Sequence, residues 1–354
     1  MIKKFLLLLI VCLLGTLIYF SATSKIVKDF KEGKNINVLF VLDDVENNEN
    51  IKFFIAKYNS LNEYIKVVFI DENITILYKT KKARILKDMI LEVEPEKRTE
   101  FIESETKKLF DNKFNIDYSI TLNKESFKNI IKTFSKQEDL NSNLELFNIC
   151  LQSDTDRDTN MVAFIKLLNY IYNNFNRFSF IKLVKNFHNG NISAKSNFEF
   201  KDIFLLYSYF LNEDKIIKYA DIPTLSRRKR IEIDEDNRTK IIDFYDNDKF
   251  INKKNYLRVE VLNATSKTRL AIKAVDKLRE NDFDVVDWGS SSKKYEFTVV
   301  FDLVNNYEKI KEIKDVLNCG EIIFRPEERP LTDVSVFLGQ DCNIYDKLDR
   351  ESDD

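Results

Sequence analysis

The sequence SDTDRDT, residues 153–159, sets three carboxylates and a guanidinium directly ahead of the apolar run MVAFIKLLNYIY. Acids at Asp154, Asp156 and Asp158 imitate the start of a calcium loop, where alternate oxygen ligands converge on a hard cation. Such a loop also needs Gly at its sixth position and Glu at its twelfth, and here those are Thr159 and Ile165. The pattern therefore reads as a polar turn opening a helix. Thiol and soft-metal chemistry lack their parts too. Cys12, Cys150, Cys319 and Cys342 form no C-x-x-C pair, and the single histidine, His188, lies in the polar turn NFHNGN. Neither a zinc site nor a Cys/His nucleophile pair is expected.

A second stretch, RVEVLNATSKTRLAIKAVDKLRENDFDVVDWG at 258–289, packs strand, helix and strand into one compact unit. Strand-to-helix turns often hold phosphate through glycine-rich backbone. The turn here, NATS at 263–266, contains no glycine, so a phosphate cradle is not expected.

The elements that must position these residues follow from periodicity. NINVLFVLDD, IKFFIAKYN and YIKVVFIDENITILY, between 35 and 78, are apolar and β-branched runs of strand length separated by turn-rich segments. Residues 82–111 carry helical spacing, with Pro95 opening a second helix. FNIDYSITL at 114–122 reads as a strand, and NKESFKNIIKTF at 123–134 as a helix with Asn123 as its N-cap. Residues 161–187 give two amphipathic helices and FKDIFLLYSYFL, 200–211, another. SRRKRIEIDEDNRTKIIDFYDNDKFINKKN, 226–255, is mostly charge and reads as a solvated connector or edge strand. Beyond it the order is β-α-β-β-α-β-β, with both helices on one face of a small sheet. The fold class is thus mixed α+β: an N-terminal mixed-sheet domain over 35–225, a connector at 226–255, a small C-terminal α/β sandwich over 256–341 and an acidic tail at 342–354.

The 354 residues are enough for two domains behind a short anchor. Lys and Arg number 56 against 58 Asp and Glu, a net charge of −2, which argues against nucleic acid as a partner. Lys3 and Lys4 precede an uncharged apolar run of 19 residues, 5–23. That length just spans a bilayer as a helix, and SAT at 21–23 is a poor cleavage site, so the run is expected to be a retained anchor rather than a cleaved signal. Lys25, Lys28, Lys31 and Lys34 follow the run, so the positive-inside count favours neither side. The four-residue N-terminal tail is the easier one to leave inside, which puts the bulk of the chain outside the cytoplasm, as a single-pass protein of the cytoplasmic membrane.

The C-terminal unit resembles the LytR_C module of the LytR/CpsA/Psr (LCP) family. VEVLNAT is similar to that module's opening strand and turn, with Ala264 where glycine is usual, and DVSVFLGQD, 333–341, is similar to its closing strand. Upstream, residues 35–225 resemble a diverged LCP domain. NINVLFVLDD is similar to the opening strand, with Val41 replacing a glycine and Asp43 keeping the acid. SDTDRDTNMVAFIKLLNYIY is similar to the segment holding an Asp-x-x-Arg, matched by Asp154 and Arg157.

The resemblance implies transfer of glycopolymer from a polyprenyl pyrophosphate to the cell wall. That chemistry needs cations around two phosphates, a carboxylate for Mg²⁺ and a hydrophobic tunnel for the lipid. It assigns catalytic remnants to Asp43 and Arg157, with Asp43 the possible metal ligand. The family's other arginines are missing, and Glu72 stands where a cation is expected. Electrostatic stabilisation is usually the largest catalytic term, so a binding or scaffolding role is favoured over efficient catalysis. The alternative is a divergent LCP phosphotransferase. No cofactor is expected, with Mg²⁺ required only for that alternative. The implied partners are cell-wall polymer or a polyprenyl-linked glycan, other envelope proteins, and the membrane through the N-terminal helix.

Cys319 follows the second helix of the C-terminal unit and Cys342 follows its last strand. If the strands EIIFRP and DVSVFLG run antiparallel as neighbours, the two thiols share a sheet edge and can bridge. Parallel strands, or an intervening strand, put the Cα atoms beyond reach. Since strand order is not legible, two unpaired and partly buried thiols are expected.

Overall fold

A computed structural model describes residues 28–344, apart from 30, 45–49, 63, 78–82, 153–155, 197–214, 228–229, 247–255 and 328–329. The apolar run 5–23, Asp154, the helix expected at 200–211 and most of the acidic tail lie outside the described residues. No helix among the described residues is long and apolar enough to cross a membrane.

In the N-terminal part, β1 (Ile36–Asp44), β2 (Asn50–Tyr58) and β3 (Tyr64–Ile70) form the expected meander, and β4 (Thr75–Leu77) pairs with β5 (Ala83–Ile85). The third run was expected as one strand. It is broken at Asp71, whose side chain accepts from the Asn73 amide and whose carbonyl accepts from the Ile74 amide. Helices α1 (Leu86–Leu91) and α2 (Arg98–Leu109) follow. Then come β6 (Tyr118–Asn123), α3 (Lys124–Phe134), α4 (Leu140–Leu151), α5 (Arg157–Asn173), α6 (Arg177–His188) and β7 (Ala194–Ser196). Asn123 caps α3 as expected, its Oδ1 accepting from the Ser126 amide at 2.8 Å. Helix α4 was not legible, because its opening LNSN is poor in helix formers.

The chain continues with β8 (Ile216–Asp221), β9 (Thr224–Arg227), β10 (Arg230–Ile233) and α7 (Glu235–Asp246). Of residues 226–255, expected as a solvated connector or edge strand, 230–233 pair with 224–227 and 235–246 form a helix. Ile241, Ile242, Phe244 and Tyr245 of α7 are buried in the same core as β1–β3. Glu235, Asp236, Asp243 and Asp246 of α7 are exposed, while its four apolar residues face inward.

The C-terminal unit has β11 (Arg258–Asn263), α8 (Leu270–Arg279), β12 (Asp284–Ser290), β13 (Val299–Asp302), α9 (Tyr307–Leu317), β14 (Glu321–Phe324) and β15 (Val334–Leu338), the order expected. Both helices cover one face, through Leu270, Ala274, Val275 and Leu278 of α8 and Ile310, Ile313 and Leu317 of α9.

One mixed sheet of eleven strands runs through both parts, in the order β12-β11-β15-β13-β14-β8-β3-β2-β1-β6-β7. The C-terminal sheet is thus continuous with the N-terminal one where β14 pairs parallel to β8, over Ile323–Tyr219 and Phe324–Ala220. Its second face is not open as in a two-layer sandwich. Val299, Phe301 and Ile323 join the core formed by α3, α4 and α5. Alternation along the strands sorts the cores: Leu39, Val41 and Ile55 face α1, α2 and α7, whereas Leu42 and Phe54 face α3, α4 and α5.

Cys319 and Cys342 form a disulfide with Cα atoms 5.4 Å apart, which corrects the expectation of two free thiols. Strand β13 does separate β14 from β15. The cysteines, however, lie in turns beyond those strands and fold across the start of β13. Glu321 donates its amide to the Thr298 carbonyl, and Asp341 accepts from the Thr298 amide at 2.7 Å. Gly339 is needed at this crossing, because a Cβ there would fall 2.2 Å from the Phe297 backbone carbon.

Candidate functional site

Strands β1 and β6 are parallel, as are β3, β8 and β14, and β1 and β3 run the same way because each is antiparallel to β2. Their carboxyl ends therefore share one rim. In open α/β sheets, ligand crevices form outside such a rim. Here it is lined by strand-terminal acids: Asp43 and Asp44 on β1, Asp71 just past β3, and Asp221 on β8.

At one end of the rim Asp71, Asp158 and Asp221 are 4 %, 6 % and 0 % exposed. Two arginines meet them. Arg157, in the first turn of α5, pairs with Asp71 at 3.2 Å and with Asp221. Arg325, just past β14, reaches Asp221 through Nε at 3.1 Å and Nη2 at 2.8 Å, and pairs with Asp158. The Tyr295 hydroxyl donates to Asp158 at 2.9 Å, and the Arg325 guanidinium lies 4.0 Å from the centre of the Phe301 ring. Asp156 caps α5, accepting from the Asp158 and Thr159 amides. The described part of that stretch, Asp156 to Thr159, thus opens a helix as expected.

Three acids against two bases leave this cluster one formal charge short of neutral. The fully buried member takes the consequence: burial pushes the Asp221 carboxyl up, outweighing Arg157 and Arg325. Burial also opposes ionisation of Asp158, but Arg325, Arg157 and the Tyr295 hydroxyl together hold it below the usual carboxylate range. Burial works against the Arg325 charge as well, and Asp221 and Asp158 more than restore it.

Asp43 lies elsewhere on the rim, 3.5 Å from Arg98 of α2. The two line a cavity of about 240 Å³ with Asp44, Lys124 and Lys195. Asp44 pairs with Lys124 at 3.2 Å. Arg157 belongs to different cavities, so the two sequence-derived site residues are not brought together: β2 and β3 stand between β1 and Asp221. Among the described residues no three His, Cys, Asp or Glu side chains gather in a metal-holding group. Glu72, the anion noted where a cation was expected, is 8 % exposed and pairs with Lys52 at 2.5 Å.

The space between the sheet and α3–α5 is filled with rings. Phe54 packs against Phe40, Phe69 and Phe164, with centroids 4.9, 5.7 and 5.5 Å away, and Phe127 stacks on Phe164 at 5.7 Å. The cleft that opens beside Phe53, Phe54, Phe69, Met161 and Phe164 has a volume of about 50 Å³. Small-molecule sites occupy roughly 300–1,000 Å³.

The glycine-free turn is built by side chains. Asn263 Oδ1 accepts from the amide and hydroxyl of Thr265, its Nδ2 donates to the Lys267 carbonyl at 2.7 Å, and Ala264 is fully buried. The turn's polar groups are directed at one another.

Sequence reasoning missed Asp221, Arg325, Tyr295 and Arg98. A signal for the acids was present: FVLDD, VVFID, IKYAD and TVVFD each end an apolar strand on aspartate. Nothing local distinguishes Arg325 or Arg98 from the other basic residues of the chain.

Residues 256–341 match the family model LytR_C, described as LytR cell envelope-related transcriptional attenuator. The match bears out the resemblance carried by VEVLNAT and DVSVFLGQD. No curated protein matches the chain. Among solved structures it is similar to the Lin1025 protein from Listeria innocua, with 16% identity over 60% of this chain and 97% of that one and a TM-score of 0.40. It is similar to B. subtilis TagV, with 12% identity over 60% and 96% and a TM-score of 0.46. A third is TagT bound to LI-WTA, with 8% identity over 60% and 89% and a TM-score of 0.44.

Proposed function

We propose that this chain, whose C-terminal module is of the cell envelope-related LytR_C type, is a membrane-anchored extracytoplasmic protein that holds a wall or lipid-linked glycopolymer without transferring it. The observation that carries this reading is the engagement of Arg157 by Asp71 and Asp221. A pyrophosphate drawing on that guanidinium must displace two buried carboxylates. Stranding a buried charge costs about 3–5 kcal/mol. The aromatic filling beside β2 and β3 supports the same conclusion, since a cleft of about 50 Å³ has no room for a polyprenyl chain.

In this reading residues 5–23 anchor the chain, 35–225 form the diverged LCP-like domain, and 256–341 contact wall or envelope partners. Helix α7, buried with β1–β3, adds residues 235–246 of the connector to the N-terminal unit.

The test is transfer of glycopolymer from a polyprenyl pyrophosphate carrier to peptidoglycan, run beside polymer retention on the immobilised chain. Retention with no turnover supports the proposal. Turnover that disappears in Arg157→Ala overturns it.

A second reading, a divergent transferase, is favoured by Asp43 and Arg98 facing one cavity with Lys124 and Lys195. Transfer that depends on Mg²⁺ and is lost in Asp43→Ala and Arg98→Ala would select it.

A further inference from the structure

Helix α6 turns an apolar and basic face to solvent. Its inner side is that of a packed helix: Ser179 and Phe180 are buried, and Leu183 and Phe187 lie on the core of α3–α5. On the outer side Phe178 is 80 % exposed and Ile181 64 %. Residues three apart share one helix face, so the two side chains stand together. Arg177, Lys182 and Lys185 are exposed around them. A single exposed apolar side chain is ordinary on a protein surface. A pair ringed by cations is the pattern of a helix that lies in a membrane interface.

The charge of this helix departs from that of the chain. Acids and bases nearly balance overall, yet residues 159–198 contain no Asp or Glu, against Lys166, Arg177, Lys182, Lys185 and Lys195. A surface of one sign suits a partner of the other, and apolar side chains among the cations suit one with an apolar interior. An anionic bilayer has both.

Position points the same way. The Asn59 side chain donates to the Gly33 carbonyl at 2.8 Å, and Leu61, 78 % exposed, extends from the same loop. Lys215 ties that loop to α5, its Nζ donating to the Asn59 carbonyl at 3.2 Å and its amide to the Tyr172 hydroxyl at 2.9 Å. Helix α6 starts just beyond. Phe175, in the intervening turn, stacks on Phe134 at the end of α3 with centroids 5.8 Å apart. Gly33, Leu61 and the start of α6 thus share the end of the fold opposite the carboxyl-end rim. Gly33 follows the apolar run 5–23 by ten residues, and ten extended residues reach at most about 35 Å.

We propose that α6 docks on an anionic lipid bilayer, with Phe178 and Ile181 entering the acyl boundary and Arg177, Lys182 and Lys185 meeting lipid phosphates. The proposal rests on the membrane-anchored part of the reading above and adds a second attachment to it. Docking by this end turns the rim of Asp43, Asp71 and Asp221 away from the bilayer.

The chain has one tryptophan, Trp288, so Phe178→Trp/Trp288→Phe places a single fluorophore on α6 of the full chain. The variant is reconstituted into vesicles whose acyl chains carry bromine, a contact quencher, made of phosphatidylcholine alone or mixed with phosphatidylglycerol. Flotation reports whether the chain is attached at all. Emission from position 178 should be quenched in the anionic vesicles and recover with added salt. Trp288 of the parent chain, on the edge strand β12, should not be quenched. Adding Lys182→Gln/Lys185→Gln, two exposed positions, should weaken docking about thirtyfold with an unchanged melting temperature. No quenching in a chain that floats, quenching indifferent to phosphatidylglycerol and to the two lysines, or equal quenching of Trp288 would overturn this proposal alone. Emission shielded from both bromine and aqueous iodide would mean that another part of the chain covers the helix, and would overturn it too. A chain that does not float would overturn the anchored reading along with it.

Discussion

Arg325, past the end of β14, donates to Asp221 at the end of β8 at 2.8 Å, so an arginine of the C-terminal module neutralises an acid of the N-terminal sheet. The backbone pairing between these strands spans only Ile323–Tyr219 and Phe324–Ala220. The ion pair adds a charged tie to the apolar contacts that Val299, Phe301 and Ile323 make across the junction. Arg325→Met keeps most of the side-chain volume and removes the charge, leaving Asp158 and Asp221 with Arg157 alone. We expect a loss of about 3–5 kcal/mol in urea denaturation. Adding Asp221→Asn should recover part of it. An unchanged midpoint for Arg325→Met would show that the pairing contributes nothing to stability.

Asp302 ends β13 fully enclosed, accepting from the Val304 amide at 3.0 Å and the Asn306 amide at 2.9 Å. Burial, against the pull of those amides, lifts its carboxyl from 3.8 to about 7. The folded chain thus keeps a proton here that the unfolded chain loses near pH 4. This contribution to stability is complete below pH 4 and disappears as the pH rises through about 7. Between pH 5 and 8 the wild type should lose roughly 2–4 kcal/mol relative to Asp302→Asn, which stays neutral throughout. Parallel stability–pH curves for the two proteins would contradict this.

Much of the fold was legible because its elements follow simple periods. β1 alternates so regularly that Leu39 and Val41 go to one core and Leu42 to the other. The C-terminal order was complete for the same reason. Strand neighbours were not legible. The pairing of β14 with β8 depends on two residues on each side, and no local pattern marks it. That one contact carries Arg325 to Asp221 and so builds the cluster around Arg157. The reading of 226–255 as a solvated connector or edge strand missed α7, because the many charges around it masked its four apolar residues. Arg157 was legible as a residue, but its partners Asp71 and Asp221 lie 86 and 64 positions away in sequence.

The disulfide between Cys319 and Cys342 closes a loop with a sequence separation of 23. In the chain-entropy model a loop of this length stabilises by about 3 kcal/mol. The unfolding midpoint should fall on reduction, and Cys319→Ser/Cys342→Ser should fall equally and become insensitive to reductant. Cys150 is buried, and burial pushes its thiol up, so it should stay unreactive toward alkylating reagents until the chain unfolds. A full-length chain that shows no response to reductant would mean the bridge does not form in solution.

Phe164 sits where the proposed loss of lipid binding can be tested directly. Its ring meets Phe54 at 5.5 Å, Phe69 at 6.0 Å and Phe127 at 5.7 Å, between the sheet and α3. Phe164→Ala removes a ring that three others pack against, and such truncations cost about 3–5 kcal/mol because the void only partly collapses. A dry apolar void binds apolar guests. The variant should therefore gain affinity for a short alkyl or isoprenoid alcohol that the wild type ignores, and the probe should restore part of its lost stability. Mass action then makes the restored stability rise with probe concentration. A wild type that already binds the probe as well as the variant would mean that the aromatic rings do not close this space, and the argument against a lipid-bearing substrate would fall with it.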